Sequence, residues 1–590
     1  MNIFISKYWK IILSVFFGVA VFIFWDVLYP CYLSYQEQFQ LFLFDGNYFM
    51  ERIVVPGGLA DYVAEFFTQF YYLTWVGAFI LTVIYVLMQR IVWIIAKHEG
   101  AADAYYPISF IPVLSLWAYM GDENTMLCFA LSLLMTLVAC VGYIKLRGNG
   151  IFKWICLLIV IPLFYWFFGS AVFVFTGYVL LLEIQKNQSK KKGIGYGMFV
   201  SVYTLVWILF ISTFLQYPLF RVFGGINYYR FPVIIPDMQI IVAIIFMVLP
   251  FVLPLFPKAC KHEKIKAATL FFIIVVAGFY GIRLGFDKLK YELIDYDYLV
   301  RYEQWDKIIE KAEKQQASTP MGVACVNLAL AETGQIGDRM FEFYQNGAEG
   351  LLPPFERDFT SPLPTSEAFY RLGMINTAQR FMFEAQEAIP NFRKSGRCTK
   401  RLAETNMING QYNVAAKYLR TLQKSLFYKD WADSMMTYLY NEKKINADPV
   451  YGKLRKFRYT KDFLYSDTEM DQMLGLLFAH NYKNKMAFEY LLACELLNRD
   501  LQKFLQFYPL GKYTDFDHIP RSYQEALVYV WTQTHRDFKG MPWGISNEIA
   551  DDVVQFATTY MSDPQSSSLR EGHLGQTYWN YYLIKKDNKQ

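Results

Sequence analysis

Long apolar stretches alternate with short polar loops over the first half of the chain. A helix needs about 20 apolar residues to cross the hydrocarbon core of a bilayer, which is about 30 Å thick. The pattern therefore predicts an all-α transmembrane domain of about nine helices over residues 1–286. The predicted spans cover residues 9–28, 71–89, 105–120, 125–144, 151–168, 170–185, 195–215, 238–256 and 267–286.

Three of these spans are weaker than the others. Residues 105–120 form a short stretch that contains Pro107 and Pro112. Residues 151–168 and 170–185 are separated by little more than Gly169. A single helix over both would be about 50 Å long, well beyond the thickness of the core, so two spans with a tight turn at Gly169 are predicted.

The second half of the chain, residues 287–590, has the pattern of a soluble all-α domain. It is rich in helix-forming residues and has few of the alternating patterns that are typical of strands. Three segments open with glycine and then place apolar or small residues at matching positions. These segments are 334–345, 373–390 and 410–425.

The aligned apolar positions are Ile336, Ile375 and Tyr412, and Trp305 occupies the same position in an earlier segment. The spacings between them are 31, 39 and 37 residues. This resembles the tetratricopeptide repeat, a helix–turn–helix unit of 34 residues. The resemblance implies paired helices that stack into a solenoid whose concave face binds a peptide or protein. The alternative is an irregular helical domain that packs on its own membrane half.

The charge distribution separates the two halves and gives the membrane half a direction. Residues 1–286 carry 19 Lys and Arg against 13 Asp and Glu, whereas the remainder carries 38 against 39. If the N-terminus is cytoplasmic, the cytoplasmic segments hold fifteen of these basic residues and the outer loops hold three. The positive-inside rule predicts such an asymmetry, and basic residues in short loops between spans indicate topology rather than nucleic-acid binding.

We therefore expect a multi-pass protein of a bacterial inner (plasma) membrane. Nine is an odd number of crossings, so the C-terminal domain is expected in the periplasm or another extracytoplasmic space. The lipid bilayer is one expected partner, and no nucleic acid is expected. The eight cysteines and six histidines are dispersed without metal-ligand spacing, so neither a metal site nor a cofactor is expected.

Residues 30–70 form the longest loop of the membrane half, on the predicted outer side. The pair Asp45-Gly46 predicts a turn, and Pro56-Gly57-Gly58 interrupts the chain. A helix that follows has an apolar side opposite Asp61 and Glu65, and we expect it to lie in the membrane interface. The apolar side consists of Leu59, Tyr62, Val63, Phe66, Phe67 and Phe70.

Candidate catalytic residues lie in the same loop. Asp45 could act as a general base at the membrane surface, with Glu51 or Arg52 assisting. The alternative interpretation is a turn followed by a solvated loop, because no second carboxylate stands close to Asp45 in the sequence.

A second outer loop, residues 216–237, carries candidate phosphate- or lipid-binding residues. Arg221 and Arg230 face the same predicted compartment as Asp45 and could clamp a phosphate, with Tyr228 and Arg52 nearby. The alternative is that arginine and tyrosine anchor this loop at the membrane interface.

Two resemblances concern the chain as a whole. Its FDGNYF and PGGLADY sequences (44–49 and 56–62) and its TYWNYY tail (577–582) resemble a family of uncharacterised multi-pass bacterial envelope proteins. Its layout is similar to that of the GT-C membrane glycosyltransferases. That resemblance implies a polyprenyl-phosphate sugar donor and a carboxylate base in the first outer loop, where this chain has Asp45.

Two functional hypotheses follow from these observations. In the first, the chain is an envelope scaffold whose membrane helices present a helical-repeat domain to a protein partner outside the cytoplasm. In the second, it is a GT-C-like glycosyltransferase that uses a polyprenyl-phosphate-linked sugar, with Asp45 as its base. Whether the chain is an enzyme stays open at this point.

Overall fold

The computed structural model describes residues 2–584, apart from 147–149, 187–189, 226–236, 258–262, 357–359, 390–392, 462–465, 515 and 517. Every secondary-structure element in the described residues is helical, so the all-α prediction is confirmed. The chain divides into two compact units. The first comprises Met1–Tyr291, Ile389–Gly396 and Thr421–Asp430, and the second comprises Glu292–Ala388, Arg397–Arg420 and Trp431–Gln590.

The first unit contains six helices that are long and apolar enough to cross a membrane, counted over the described residues. This is consistent with a multi-pass membrane protein, and the six match six of the nine predicted spans. They are Tyr8–Leu28, Thr74–His98, Leu127–Lys145, Lys191–Ser212, Asp237–Leu255 and Ile265–Arg283. The shorter helices of this unit are Pro30–Gln38, Gly46–Ile53, Gly58–Thr68, Gln69–Tyr72, Asp103–Phe110, Ile111–Tyr119, Gly150–Phe168, Ala171–Lys186 and Leu219–Gly224.

The three weaker predicted spans are helical but differ in kind. Gly150–Phe168 and Ala171–Lys186 are about 28 and 24 Å long and turn at Gly169, which has a φ of 61°. Asp103–Phe110 is a 3-10 helix that contains Pro107, and it continues into the α-helix Ile111–Tyr119. At about 2.0 and 1.5 Å per residue, these two pieces together reach about 30 Å.

One end of the first unit is marked by lysines. Lys10 and Lys97 both pair with Asp103, at 2.8 and 2.7 Å between Nζ and Oδ1. Tyr105 accepts a hydrogen bond from Lys266 Nζ at 2.7 Å. These contacts bring together residues at the ends of four of the helices above, and we call this part of the unit the lysine end.

The opposite end is marked by the first loop. Tyr119 donates a hydrogen bond to Gln239 Oε1 at 2.9 Å, and Tyr291 donates one to the carbonyl of Gly121 at 3.0 Å. Tyr32 reaches the carbonyl of Thr125 at 3.3 Å. The segment from Asp103 to Tyr119 therefore runs the full distance between the two ends, and we call this second end the loop end.

Further contacts show at which end of the first unit the Gly169 turn lies. The Gly169 turn lies at the loop end, because Gly57 donates to the carbonyl of Trp166 at 2.9 Å and Tyr165 donates to that of Val222 at 2.6 Å. Tyr143 donates to Glu183 Oε1 at 2.8 Å, at the other end of the same helices. Ala171–Lys186 therefore runs from the Gly169 turn at the loop end to the opposite end, where Glu183 lies.

The second unit is built from shorter helices. They are Trp305–Lys314, Pro320–Glu332, Ile336–Arg339, Met340–Glu342, Ala348–Gly350, Pro362–Leu372, Ile375–Ala388, Gly396–Ile408, Tyr412–Leu422, Lys429–Met436, Glu442–Ala447, Tyr451–Phe457, Asp467–Glu469, Met470–His480, Lys485–Leu497, Leu501–Phe507, Tyr508–Tyr513, Arg521–Thr532, Asn547–Ser562, Ser567–Leu569, His573–Gln576 and Tyr578–Leu583. Lys288–Arg301 crosses the boundary between the units, and so do the ends of Gly396–Ile408, Tyr412–Leu422 and Lys429–Met436.

Two hairpins of the second unit turn at the glycines that open the aligned sequence segments. Gly373 joins Pro362–Leu372 to Ile375–Ala388 with a φ of 88°, and Gly410 lies between Gly396–Ile408 and Tyr412–Leu422 with a φ of 77°. Ordinary L-residues avoid these backbone angles, which explains the glycines. The small residues at matching positions, Ala378 and Ala415, are fully buried.

The segment after Gly334 departs from this pattern. Gly334 has the same left-handed backbone, with a φ of 71°, but the α-helix behind it ends after Ile336–Arg339. Arg339 stands where the two hairpins have alanine, and it pairs at the surface with Glu313 and Glu342. A long charged side chain cannot pack between two closely spaced helices, so this segment does not form a full hairpin.

Candidate functional site: a buried ion network in the first loop

The first loop folds into a helical hairpin because of its glycines. Asp45 caps Gly46–Ile53 by accepting a hydrogen bond from the backbone N–H of Asn47 at 2.8 Å. Gly57 has a φ of 84°, and a Cβ on Gly58 would lie 1.8 Å from the carbonyl oxygen of Arg52. Only glycine allows this close approach, so the Pro56-Gly57-Gly58 sequence sets the geometry of the hairpin.

Each helix of the hairpin contributes two polar side chains one turn apart. Tyr48 and Arg52 share a face of Gly46–Ile53, and Asp61 and Glu65 share a face of Gly58–Thr68. The face that carries Glu65 points into the protein together with Ala64 and Thr68, all of them fully buried, while the aromatic face is partly exposed.

Glu65 is the centre of a network of charged groups. Its side chain is 0% exposed, and Arg52 Nε lies 2.9 Å from Oε2. The hydroxyl of Tyr48 donates to the same oxygen, and burial together with this carboxylate raises the pKa of Tyr48 well above its usual range. Arg393 Nε lies 2.9 Å from the other carboxylate oxygen, Oε1.

Arg393 comes from a distant part of the sequence that belongs to the same unit. Its side chain is only 1% exposed, and it pairs with Asp61 as well as with Glu65. Burial alone would lower the pKa of this guanidinium, but the two carboxylates raise it above its usual value. We call Tyr48, Arg52, Asp61, Glu65 and Arg393 the buried ion network.

The buried ion network balances two positive charges against two negative ones. Removing one partner from a buried pair leaves an uncompensated charge and costs about 3–5 kcal/mol, whereas an intact pair adds little net stability. The network therefore specifies one arrangement of the first loop and residue 393. Both oxygens of Glu65 already have cationic partners, so the geometry is that of a structural clamp.

Further buried polar contacts surround the network at the loop end. Glu37 is 3% exposed and accepts a hydrogen bond from Tyr428 at 2.9 Å. Backbone bonds run from Leu41 N–H to the carbonyl of Lys394 at 2.9 Å and from Phe44 N–H to that of Lys424 at 2.7 Å. The segments of the first unit that contain Lys394 and Lys424 thus pair with the first loop through backbone groups as well as through side chains.

Asp45 has a structural role in this arrangement. Besides capping its helix, it pairs with Lys424. The hydrogen bond from Lys424 and the backbone bond from Asn47 lower the pKa of Asp45 below its ordinary value. A general base works best with a pKa near the working pH, so these contacts favour the cap over the base.

The other residues named from the sequence do not gather around Asp45. Glu51 is exposed on the surface of Gly46–Ile53, and Arg52 is directed to Glu65. Arg221 is 7% exposed on the short helix Leu219–Gly224. Tyr228 and Arg230 lie outside the described residues.

The first loop and the helix Leu219–Gly224 nevertheless both contact residues next to the Gly169 turn. The indole of Trp166 donates to the carbonyl of Ile53 at 3.1 Å, and the neighbouring Tyr165 donates to that of Val222. The predicted catalytic and phosphate-binding roles of the loop residues stay predictions, because these contacts involve backbone groups and not the side chains themselves.

Sequence reasoning missed the residues that the structure brings together. It placed Asp61 and Glu65 opposite the apolar face of the helix without giving them a role, and it did not single out Arg393 or Lys424. The i, i+4 spacing of Tyr48 with Arg52 was an available signal for a shared face. No local signal in the sequence marks Arg393, because its partners lie more than 300 residues away.

Comparisons with known proteins complete the description. Among the described residues, no group of three or more His, Cys, Asp or Glu side chains is placed to hold a metal ion. No curated protein and no solved structure matches the sequence. A family of unknown function, DUF6057, matches residues 7–585. Since the match covers nearly the whole chain, the protein belongs to this family.

Proposed function

We propose that this protein is a membrane-anchored scaffold that presents a helical-repeat domain to a protein partner outside the cytoplasm. The observation that supports the proposal is a set of nine apolar helical segments in the described part of the first unit. Six are long enough to span a bilayer by themselves, and the other three are about 24–30 Å long.

An odd number of crossings puts the two ends of the membrane part on opposite sides. Residues 8–10 belong to the lysine end and Tyr291 belongs to the loop end. Lysine-rich segments stay in the cytoplasm during insertion, so the lysine end is proposed as the cytoplasmic end of a bacterial inner-membrane protein. The chain after residue 291 then continues on the extracytoplasmic side.

The helical hairpins of the second unit support the scaffold role. Their left-handed glycines and buried alanines support the tetratricopeptide resemblance, and Leu363, Met382 and Leu402 join neighbouring helices in one apolar cluster. Phe383 and Val414 remain 49% and 38% exposed on the second helices of the two hairpins. We take these two positions as the probes of a partner surface, because stacked repeat helices present an extended face to their partners.

In-cell photo-crosslinking tests the scaffold proposal. A photoreactive residue at position 383 or 414 should give a discrete cross-linked product of higher mass in intact cells. The matched control is position 561, where Met561 is 84% exposed on another helix of the same unit. Equal cross-linking at 383, 414 and 561, or none at the hairpin positions, would argue against a partner surface there.

The GT-C-like glycosyltransferase, with Asp45 as base and a polyprenyl-phosphate donor, is the alternative proposal. The layout of the first outer loop supports it, and the pairing of Asp45 with Lys424 weighs against it. A catalytic carboxylate cannot be replaced by its amide without loss of activity, whereas a helix cap can, since asparagine caps helices as well as aspartate does.

The substitution Asp45→Asn separates the two proposals. The scaffold proposal expects cells that carry Asp45→Asn to keep the wild-type phenotype, provided that membrane levels of the protein are unchanged. Loss of the phenotype at wild-type protein levels would favour the transferase. Glu469→Gln is the control, because Glu469 is an exposed acid to which neither proposal gives a role.

A further inference from the structure

A groove runs along the outside of the first unit between its first two long helices. It encloses about 610 Å³ and is lined by one stripe of residues from each helix, at the spacing of successive turns. The first stripe consists of Ile11, Ser14, Val15, Gly18, Val19 and Phe22. The second consists of Phe79, Thr82, Val83, Val86, Leu87 and Arg90.

Small residues form the floor of this groove. A Cβ on Gly18 would lie 3.3 Å from a methyl group of Thr82 and 3.3 Å from one of Val86, so the two helices approach closely here. Ser14 is buried and donates to Gln89 Oε1 at 3.0 Å, and Thr82 donates to the carbonyl of Ala78 at 2.8 Å, so both hydroxyls have partners. The walls are larger apolar side chains such as Val19, which is 51% exposed.

The length of the groove matches one leaflet of a bilayer. Each stripe covers eleven residue steps, which is about 16 Å of helix, and half of the hydrocarbon core is about 15 Å. The groove starts near Phe22 and Phe79 and ends at Arg90. It therefore has the dimensions of an acyl chain that lies in the leaflet of the lysine end.

Arg90 gives the groove a positive end. Its guanidinium donates to the hydroxyl of Tyr106 at 3.2 Å, and no described carboxylate forms an ion pair with it. The neighbouring cations differ, because Lys10 and Lys97 both pair with Asp103. An arginine on an apolar helix without an acidic partner is a candidate site for an anionic group, and phosphate is a group that guanidinium binds through two parallel N–H···O bonds.

We propose that this groove binds one anionic phospholipid of the surrounding bilayer, with an acyl chain along the two stripes and its phosphate on Arg90. The apolar walls accommodate a chain, and the guanidinium, which has no carboxylate partner among the described residues, binds the negatively charged phosphate. The inference rests on the proposed membrane location and adds to it a specific lipid site at the lysine end.

Native mass spectrometry of the full-length protein in mild detergent tests the lipid site, with dioleoyl phosphatidylglycerol as the probe. The wild-type protein should retain one molecule of the probe per chain. Arg90→Gln should weaken binding about tenfold, because a charge-assisted contact is lost. Val19→Trp should also weaken it by placing a large ring in the groove without altering the phosphate contact. Inorganic phosphate should not compete, since it lacks the chain.

Lys97→Gln is the matched control, because it removes one positive charge at the same end but outside the groove. Its affinity for the probe should stay within about twofold of wild type. Equal losses for Arg90→Gln and Lys97→Gln, retention of no lipid by the wild type, or competition by inorganic phosphate would each overturn the site. Recovery of the protein without detergent would instead contradict the membrane location itself, so the two failures are distinguishable.

Discussion

At the residue scale, Glu65 shows why a helical pattern does not reveal which side of a helix faces the protein. The sequence separates an aromatic face from an acidic face on residues 58–68, and the helix forms as expected. In water the aromatic face would turn inward. Here the acidic face turns inward, because Arg52 and Arg393 compensate the buried charge. If the helix lies in the membrane interface, as we propose, its aromatic face contacts apolar lipid and need not turn inward.

The buried ion network yields a prediction for stability. Glu65→Gln should lower the free energy of unfolding by about 3 kcal/mol or more, because both arginines lose their shared counter-charge inside the protein. Thermal unfolding in detergent, followed by tryptophan fluorescence, measures this. The control Glu51→Gln changes an exposed acid of the same loop and should shift the midpoint by no more than a degree or two. Equal shifts would show that the network is not a clamp.

A second residue-scale prediction concerns pH. Glu495 is 1% exposed, and neither of its carboxylate oxygens has a hydrogen-bond partner among the described residues. Burial first, and then the nearby Asp471, raise its pKa to about 7, whereas Lys503 acts in the opposite direction. The stability from keeping Glu495 neutral is fully present below pH 4.5 and is lost as the pH rises through 7.

Stability of the protein should therefore fall between pH 5 and pH 8, and Glu495→Gln should make this fall smaller. Calorimetry of the full-length protein in detergent across that range measures the effect. Part of the slope should remain, because Glu489 and Glu525 also have a pKa raised to about 7 by burial. Glu469→Gln, at an exposed acid, should leave the slope unchanged. An unchanged slope for Glu495→Gln would contradict the assignment.

At the scale of elements, the sequence predicts where a helix forms better than it predicts how long that helix is. The glycines at 373 and 410 mark true turns, and apolar stretches of about 20 residues form long helices. The stretch at 105–120 becomes a 3-10 helix followed by a short α-helix, since Pro107 removes a backbone donor. The length of the helix after Gly334 depends on the contacts of Arg339, and the local sequence pattern does not show these contacts.

Two turn glycines give a matched pair of substitutions. Gly410→Ala should cost about 1 kcal/mol, because an L-residue is strained at a φ of 77° but its Cβ meets nothing within 4 Å. Gly373→Ala should cost about 1–2 kcal/mol more, because its Cβ would also lie 2.8 Å from Cβ of Phe457. Unfolding midpoints of the two variants compare these costs, and equal midpoints would rule out the proposed crowding at Gly373.

At the scale of the whole molecule, composition and charge predict an all-α chain with membrane helices, and the structure agrees at that level. Residues 389–396 and 421–430 could not be assigned to the first unit from the sequence. Their contacts with the first loop, such as Tyr428 with Glu37, join residues almost 400 positions apart. Such pairing depends on the folded arrangement and leaves no periodic signal in either segment.

Cysteine labelling in intact cells tests most directly the claim that the chain after residue 291 lies on the opposite side of the membrane from the lysine end. Lys191→Cys and Lys539→Cys place a thiol at an exposed position on each side of the proposed membrane, in a background without the native cysteines. A membrane-impermeant maleimide should label position 539 in intact cells and position 191 only after permeabilisation. Labelling of both positions under the same condition would require an even number of crossings between them, and labelling in the reverse order would place the lysine end outside the cytoplasm.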